Sequence, residues 1–132
     1  MKRSITWLLL LWGTTACNST DDMDPTLLQG QFTGTFERTV DGSSEGVESI
    51  SLLLEGNSFS GEGGANRYPT ICRGTFAVEG NKVNFSNSCF FTADFDWTLI
   101  LSGDFRVERD EDELILSKNE GLIVDMYRLV KK

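Results

Sequence analysis

The dipeptide Gly80-Asn81 constrains this chain more than any other feature, because it centres two runs whose side chains sort cleanly when folded against each other. Gly-Asn is a two-residue hairpin signal, the glycine supplying backbone angles that other residues adopt only under strain. Counting outward sets Val78 against Val83, Phe76 against Phe85, Gly74 against Asn87 and Cys72 against Cys89. These pairs share one face, since side chains alternate along a strand. The other face receives Glu79 with Lys82, Ala77 with Asn84, Thr75 with Ser86 and Arg73 with Ser88. A slip of one residue would send the apolar set into water.

The same punctuation recurs at roughly ten-residue spacing along the rest of the chain. Gly56-Asn57 pairs Leu54 with Phe59 and leaves Glu55 with Ser58 outside. Asn119-Glu120-Gly121 fits a three-residue loop that sets Leu116 against Val124 and Leu114 against Met126, and a turn at Asp110-Glu111 places Phe105 opposite Leu116. The expected strands are 31–39, 47–55, 58–63, 71–79, 82–88, 96–102, 104–109, 113–118 and 122–130. No stretch beyond residue 26 sustains a helical period. The fold class is therefore all-β, an antiparallel meander of eight or nine strands that either closes into a barrel or folds over as a sandwich.

The N-terminus is of another kind. Lys2 and Arg3 precede an apolar run from Ile5 to Trp12, followed by Gly13, Thr14-Thr15-Ala16 and Cys17. That layout is a secretory signal, too short to span a bilayer. With its cysteine directly after the cut, it resembles a bacterial lipoprotein signal. The resemblance implies cleavage after residue 16, lipid attachment at Cys17 and a membrane as partner through that anchor. Residues 17–26, rich in Asp and closed by Pro25, read as a lipidated acidic tether, since so polar a segment cannot bury enough surface to offset its ordering entropy. Its cluster Asp21, Asp22, Asp24 is also similar to the surface-export signal of Bacteroidota lipoproteins. The implied address is the cell envelope, as an outer membrane lipoprotein that such a signal would carry to the surface. Cleavage removes 2 of the 12 basic residues and none of the 20 acidic ones, so the mature domain is more acidic than the formal −8 of the whole chain. Such a balance argues against nucleic acid and against an anionic lipid surface as partners, since both need positive charge.

Residues 27–132 make one domain. Its opening Gly30-Gln31-Phe32-x-Gly34-x-Phe36, its meander and its closing Tyr127-Arg128-Leu129 resemble a small lipocalin-like β-barrel. The resemblance puts Phe32 where that family has Trp and makes Arg128 its basic partner. Tyr68-Pro69-x-Ile71-Cys72-x-Gly74-x-Phe76, with Cys89-x-x-Thr92-Ala93-Asp94-Phe95-Asp96-Trp97, is similar to small Bacteroidota lipoproteins of unknown function. Phe59-Ser60-Gly61-x-Gly63-Gly64-x-Asn66-Arg67-Tyr68 is similar to META-type envelope domains, which carry Cys where this chain has Ala65. With Cys17 assigned to lipid, Cys72 and Cys89 remain as an even pair in an oxidising compartment, and the hairpin count brings their Cα atoms to about 4.5 Å, within disulfide range. The alternatives are a reactive thiol or a metal site, the latter needing carboxylates because the chain has no histidine.

Candidates for chemistry are few. Glu108 to Glu113 reads ERDEDE, but it has no glycine for the sharp turn of a calcium loop and reads as a solvated acidic hairpin tip. Asp94 and Asp96, beside Phe95 and Trp97, are the best carboxylate pair for acid–base work, yet no second catalytic element accompanies them, and loop capping is the preferred reading. No catalytic residue, metal or cofactor is assigned. Phe90, Phe91, Phe95 and Trp97 either line a barrel mouth as a site for a small apolar ligand or plug one end of the core. With Phe32, Phe36, Phe59, Phe76, Phe85 and Phe105 expected inside, a filled barrel or shallow site is favoured. The chain thus reads as a non-enzymatic lipoprotein that binds a small ligand or a neighbouring envelope protein, or as a structural component acting through its outer surface.

Overall fold

The computed structural model describes residues 24–132; the expected signal at 1–16, the expected lipid-attachment residue Cys17 and the expected tether up to residue 23 lie outside them. Eight strands among the described residues close into a barrel in which each pairs with its chain neighbours and the last returns to the first. They are β1 Gly30–Val40, β2 Ser43–Glu55, β3 Ser58–Glu62, β4 Arg73–Glu79, β5 Lys82–Asn87, β6 Gly103–Asp110, β7 Glu113–Glu120 and β8 Ile123–Lys131. All neighbouring pairs are antiparallel, β1 with β8 included.

The hairpin around Gly80-Asn81 has the expected register, from Glu79 with Lys82 to Gly74 with Asn87. Leu54 faces Phe59 and Glu55 faces Ser58 across the next such turn. Gly56, Gly80 and Gly121 all take φ near +60°, at 63°, 60° and 62°, the position that two-residue hairpins reserve for glycine. Cys72 and Cys89 are bridged, with Cα atoms 6.4 Å apart. This is wider than a ladder pair because the ladder ends at Gly74 and Asn87; beyond it only Ser88 N–H still donates to Arg73 C=O, at 2.9 Å.

Three expectations are corrected. Segment 96–102 is not a strand: Asp96 caps a 3-10 turn at Trp97–Leu99, its carboxylate accepting from Thr98 N–H, and this local bond competes with extended pairing. The β6–β7 turn falls at Glu111-Asp112, so Leu116 faces Val107 rather than Phe105. A two-residue shift preserves the inward face, which is why alternation alone misplaced it. The β7–β8 turn is Gly121-Leu122, two residues and not three, which sets Leu116 against Tyr127 and Leu114 against Leu129. That shift turns β8 over. Tyr127 and Leu129 are buried in place of Val124 and Met126, and Asp125 goes inside with them.

The strand directions define two ends. At the base lie the start of β1, the short turns after β2, β4 and β6, and the end of β8. The 3-10 turn Pro25–Leu28 plugs it with the fully buried Leu28, and the Gln29 amide clamps Gly56 by two hydrogen bonds of 2.8 Å. At the rim lie the turns 41–42 and 121–122 and the long loops 63–72 and 88–102, tied together by a bridge of Thr70 with Ile100. Between the ends runs a chain of aromatic contacts, Phe76–Phe85–Phe105–Tyr127–Phe36–Tyr68, with ring centroids 4.8 to 6.1 Å apart. Phe59 joins it edge-on to Phe85. Each such pair adds about 0.5–1.5 kcal/mol beyond its buried area.

Candidate functional site

The sequence supplies one charged layer inside the rim end. Lys118, Asp125 and Arg38 occupy a single cross-strand row on β7, β8 and β1. Arg38 meets Asp125 through two bonds, Nε to Oδ1 at 2.6 Å and Nη2 to Oδ2 at 2.8 Å, with both residues buried. Paired in this way, the guanidinium is held above its ordinary value, chiefly by its hydrogen bond to Asp125. The same guanidinium donates to Thr98 Oγ1 and to Thr98 C=O, each at 3.0 Å, so it fastens loop 88–102 down onto the barrel. Lys118 turns instead to Ser102 C=O, at 3.1 Å, and lies over the Phe105 ring.

Opposite Arg38 the β1–β2 register slips by one residue, with Gly46 at φ +117° in the bulge. Bulges leave ladder groups unpaired. Here the Tyr68 hydroxyl enters the gap, accepting from Arg38 N–H at 2.9 Å and donating to Gly46 C=O at 3.0 Å. Burial pushes the Tyr68 phenol above its ordinary value and keeps it neutral. Tyr68 thereby ties loop 63–72 to the barrel as Thr98 ties loop 88–102.

Loop 88–102 presents its aromatics outside this lock. Phe91 and Phe95 stack with centroids 5.1 Å apart, Trp97 stands edge-on to Phe91, and Arg67 from the other rim loop lies over Phe95. Phe90 stands apart from them and is 99% exposed, and Trp97 is 53% exposed. The four aromatics singled out from the sequence thus share a loop, but only Phe91, Phe95 and Trp97 come together. None belongs to the buried core, so they neither plug the barrel nor line its interior. Val47 on β2 and Leu122 in the β7–β8 turn are also exposed at the rim end.

Asp94 and Asp96 are not poised as acids. The Thr92 hydroxyl holds the Asp94 carboxyl below its ordinary value, and the Thr98 hydroxyl does the same for Asp96. The acidic run at 108–113 spans the β6–β7 hairpin, and its Glu113 pairs with Arg128 at 2.8 Å. Arg128 therefore lies on the outer wall, not over Phe32; the basic residue that the barrel does enclose is Arg38. Among the described residues no three His, Cys, Asp or Glu side chains converge as a metal site.

Sequence reasoning missed Arg38, Asp125 and Tyr68. The available signal was Asp125 itself, a carboxylate inside the apolar run of β8 that asks for a cation of matching depth. Fold and site together define a class, a closed and aromatic-filled antiparallel barrel whose two rim loops are locked by a buried ion pair and a strand-inserted tyrosine. Comparison with protein-family models, with curated proteins and with solved structures finds no match for this chain.

Proposed function

We propose that this chain is a lipid-anchored, non-enzymatic lipoprotein of the outer membrane that acts through the rim of a filled barrel, docking there on a neighbouring envelope protein. The observation that carries this reading is the continuous aromatic chain through the interior, which occupies the space a lipocalin-like domain would give to a ligand. Exposed aromatic surface lies at the rim, where Phe90 and Trp97 face solvent on a loop stapled by the disulfide and by Arg38. Exposed aromatics on a rigid loop suit a protein partner, because they bury large area at little cost in conformational entropy. The rim lies at the end of the barrel away from Asp24, where the chain leads back to Cys17.

The anchor is tested by labelling cells with radioactive palmitate. Label is expected on the wild-type protein and absent from Cys17→Ser. The docking reading is tested by placing a photo-crosslinking residue at Phe90 or, as control, at Glu79 at the base. One discrete protein adduct from the rim and none from the base is expected. Equal or absent adducts from the two positions would refute docking through the rim.

A further inference from the structure

The base carries a second, different surface. A groove of about 320 Å³ opens beside the N-terminal 3-10 turn, floored by Phe32 and walled by Leu27, Leu114 and Val130. Val130 is 45% exposed. The groove is flanked by Arg109 and Lys131, neither of which is ion-paired with another described residue. Arg109 Nε is spent on Glu111 C=O at 3.0 Å, which leaves its two terminal nitrogens. The Lys131 stem lies against Gly30, within 2.7 Å of where a Cβ would be, so a side chain at residue 30 would displace this lysine. An apolar trough with two free cations at its edge matches an acyl chain that ends in an anionic head.

The geometry points to one anionic phospholipid of the host membrane seated at the base, one acyl chain along Leu27 and Val130 and its phosphate between Arg109 and Lys131. This rests on the reading that Cys17 carries the anchor. Between Cys17 and Asp24 the chain is seven residues long, which spans at most about 25 Å when fully extended. A base held that close to the headgroups meets lipid at high effective concentration, so even weak intrinsic affinity suffices. Asp112 also lines the groove, and Asp110 and Glu111 precede it. The complementarity is therefore to a single lipid, not to a charged surface. Occupancy would fix the barrel base-down, with the rim presented away from the bilayer.

The test uses the full lipidated protein in vesicles of phosphatidylcholine with or without phosphatidylglycerol, followed by native mass spectrometry after gentle detergent release. One retained phosphatidylglycerol is expected. R109E combined with K131E should lower its retention by about a hundredfold or more, the loss of two charge-assisted bonds, and Val130→Asp should lower it by about tenfold. Unchanged urea midpoints would show that these variants still fold. Equal retention of both lipids, equal retention by wild type and variants, or an anchored protein without any lipid adduct would overturn the proposal while leaving the palmitate result intact. The last outcome includes occupation of the groove by the anchor's own acyl chain. Absence of palmitate on Cys17 would bring down both readings together.

Discussion

Replacing Arg38 with methionine keeps the aliphatic stem and removes the cation, leaving Asp125 buried and charged with no counterion. Both residues are less than a tenth exposed, and the pair is closed by bonds of 2.6 and 2.8 Å. An exposed ion pair contributes only about 0.2–1 kcal/mol. Breaking a buried one costs about 3–5 kcal/mol, because the surviving charge cannot be rehydrated. Lys118 stands opposite Asp125 in register, but its ammonium is held at Ser102 C=O and offers no ready substitute. Two further bonds, to Thr98 Oγ1 and C=O, are lost with the guanidinium. Against a total stability of about 5–15 kcal/mol for a domain this size, the variant sits near the edge of folding. Urea unfolding reports this by far-UV circular dichroism and by the fluorescence of Trp97, the one tryptophan in residues 17–132. The midpoint should fall by roughly 2 M at an ordinary urea slope, with Trp97 responding before the barrel. The double variant Arg38→Met with Asp125→Leu should regain most of the loss, since matched apolar replacement of a buried pair is often neutral. A single-variant cost below about 1 kcal/mol would refute the buried-lock reasoning.

Gly34→Val would place a Cβ 1.8 Å from the Arg128 carbonyl oxygen of the neighbouring strand, so it should break the β1–β8 seam and lower stability by more than about 3 kcal/mol; a change within about 0.5 kcal/mol by urea unfolding would contradict the closed register. Thiol alkylation without reductant should add no label to Cys72 or Cys89, and the Cys72→Ser, Cys89→Ser pair should cost about 3 kcal/mol for a loop of this length. The Asp96 carboxyl is lowered in the fold, so its contribution is complete above the ordinary aspartate value of about 3.9 and is lost as pH falls below that through the lowered one. Trp97 emission should accordingly shift red in acid in the wild type, and Asp96→Asn, which retains a capping side chain without the titration, should abolish that transition.

The β4–β5 hairpin was legible because turn type, alternation and cysteine placement all pointed to one register. At the β6–β7 turn, displacement by two residues keeps the same side chains inside, so the pattern held no information about it. The β8 strand misled for a clearer reason. Keeping Asp125 in water looks locally favourable, and only the presence of Arg38, 87 residues away, makes its burial acceptable. Segment 96–102 resembles a strand by composition, yet a single carboxylate bonded two residues ahead bends it into a 3-10 turn. The Tyr68 contact was hidden altogether, since a hydroxyl that replaces one ladder bond leaves no trace in hydrophobic periodicity. The cluster of aromatics after Cys89 was visible as a cluster, but its outward placement depends on which residues Arg38 pulls inward.

β1 is the strand that a pull from the N-terminal side would reach first. Its N-terminal end leads back through the 3-10 turn to Asp24, and the strand is paired along its length, with β2 from Gly30 to Val40 and with β8 from Phe32 to Val40. Ladder bonds in antiparallel sheets stand perpendicular to the strands. A pull transmitted through Asp24 therefore runs parallel to β1 and loads the bonds on both flanks at once, in shear, rather than opening them singly from a free end. The segment that would bear the drag on a tethered body is thus built into the barrel as its best-clamped stave.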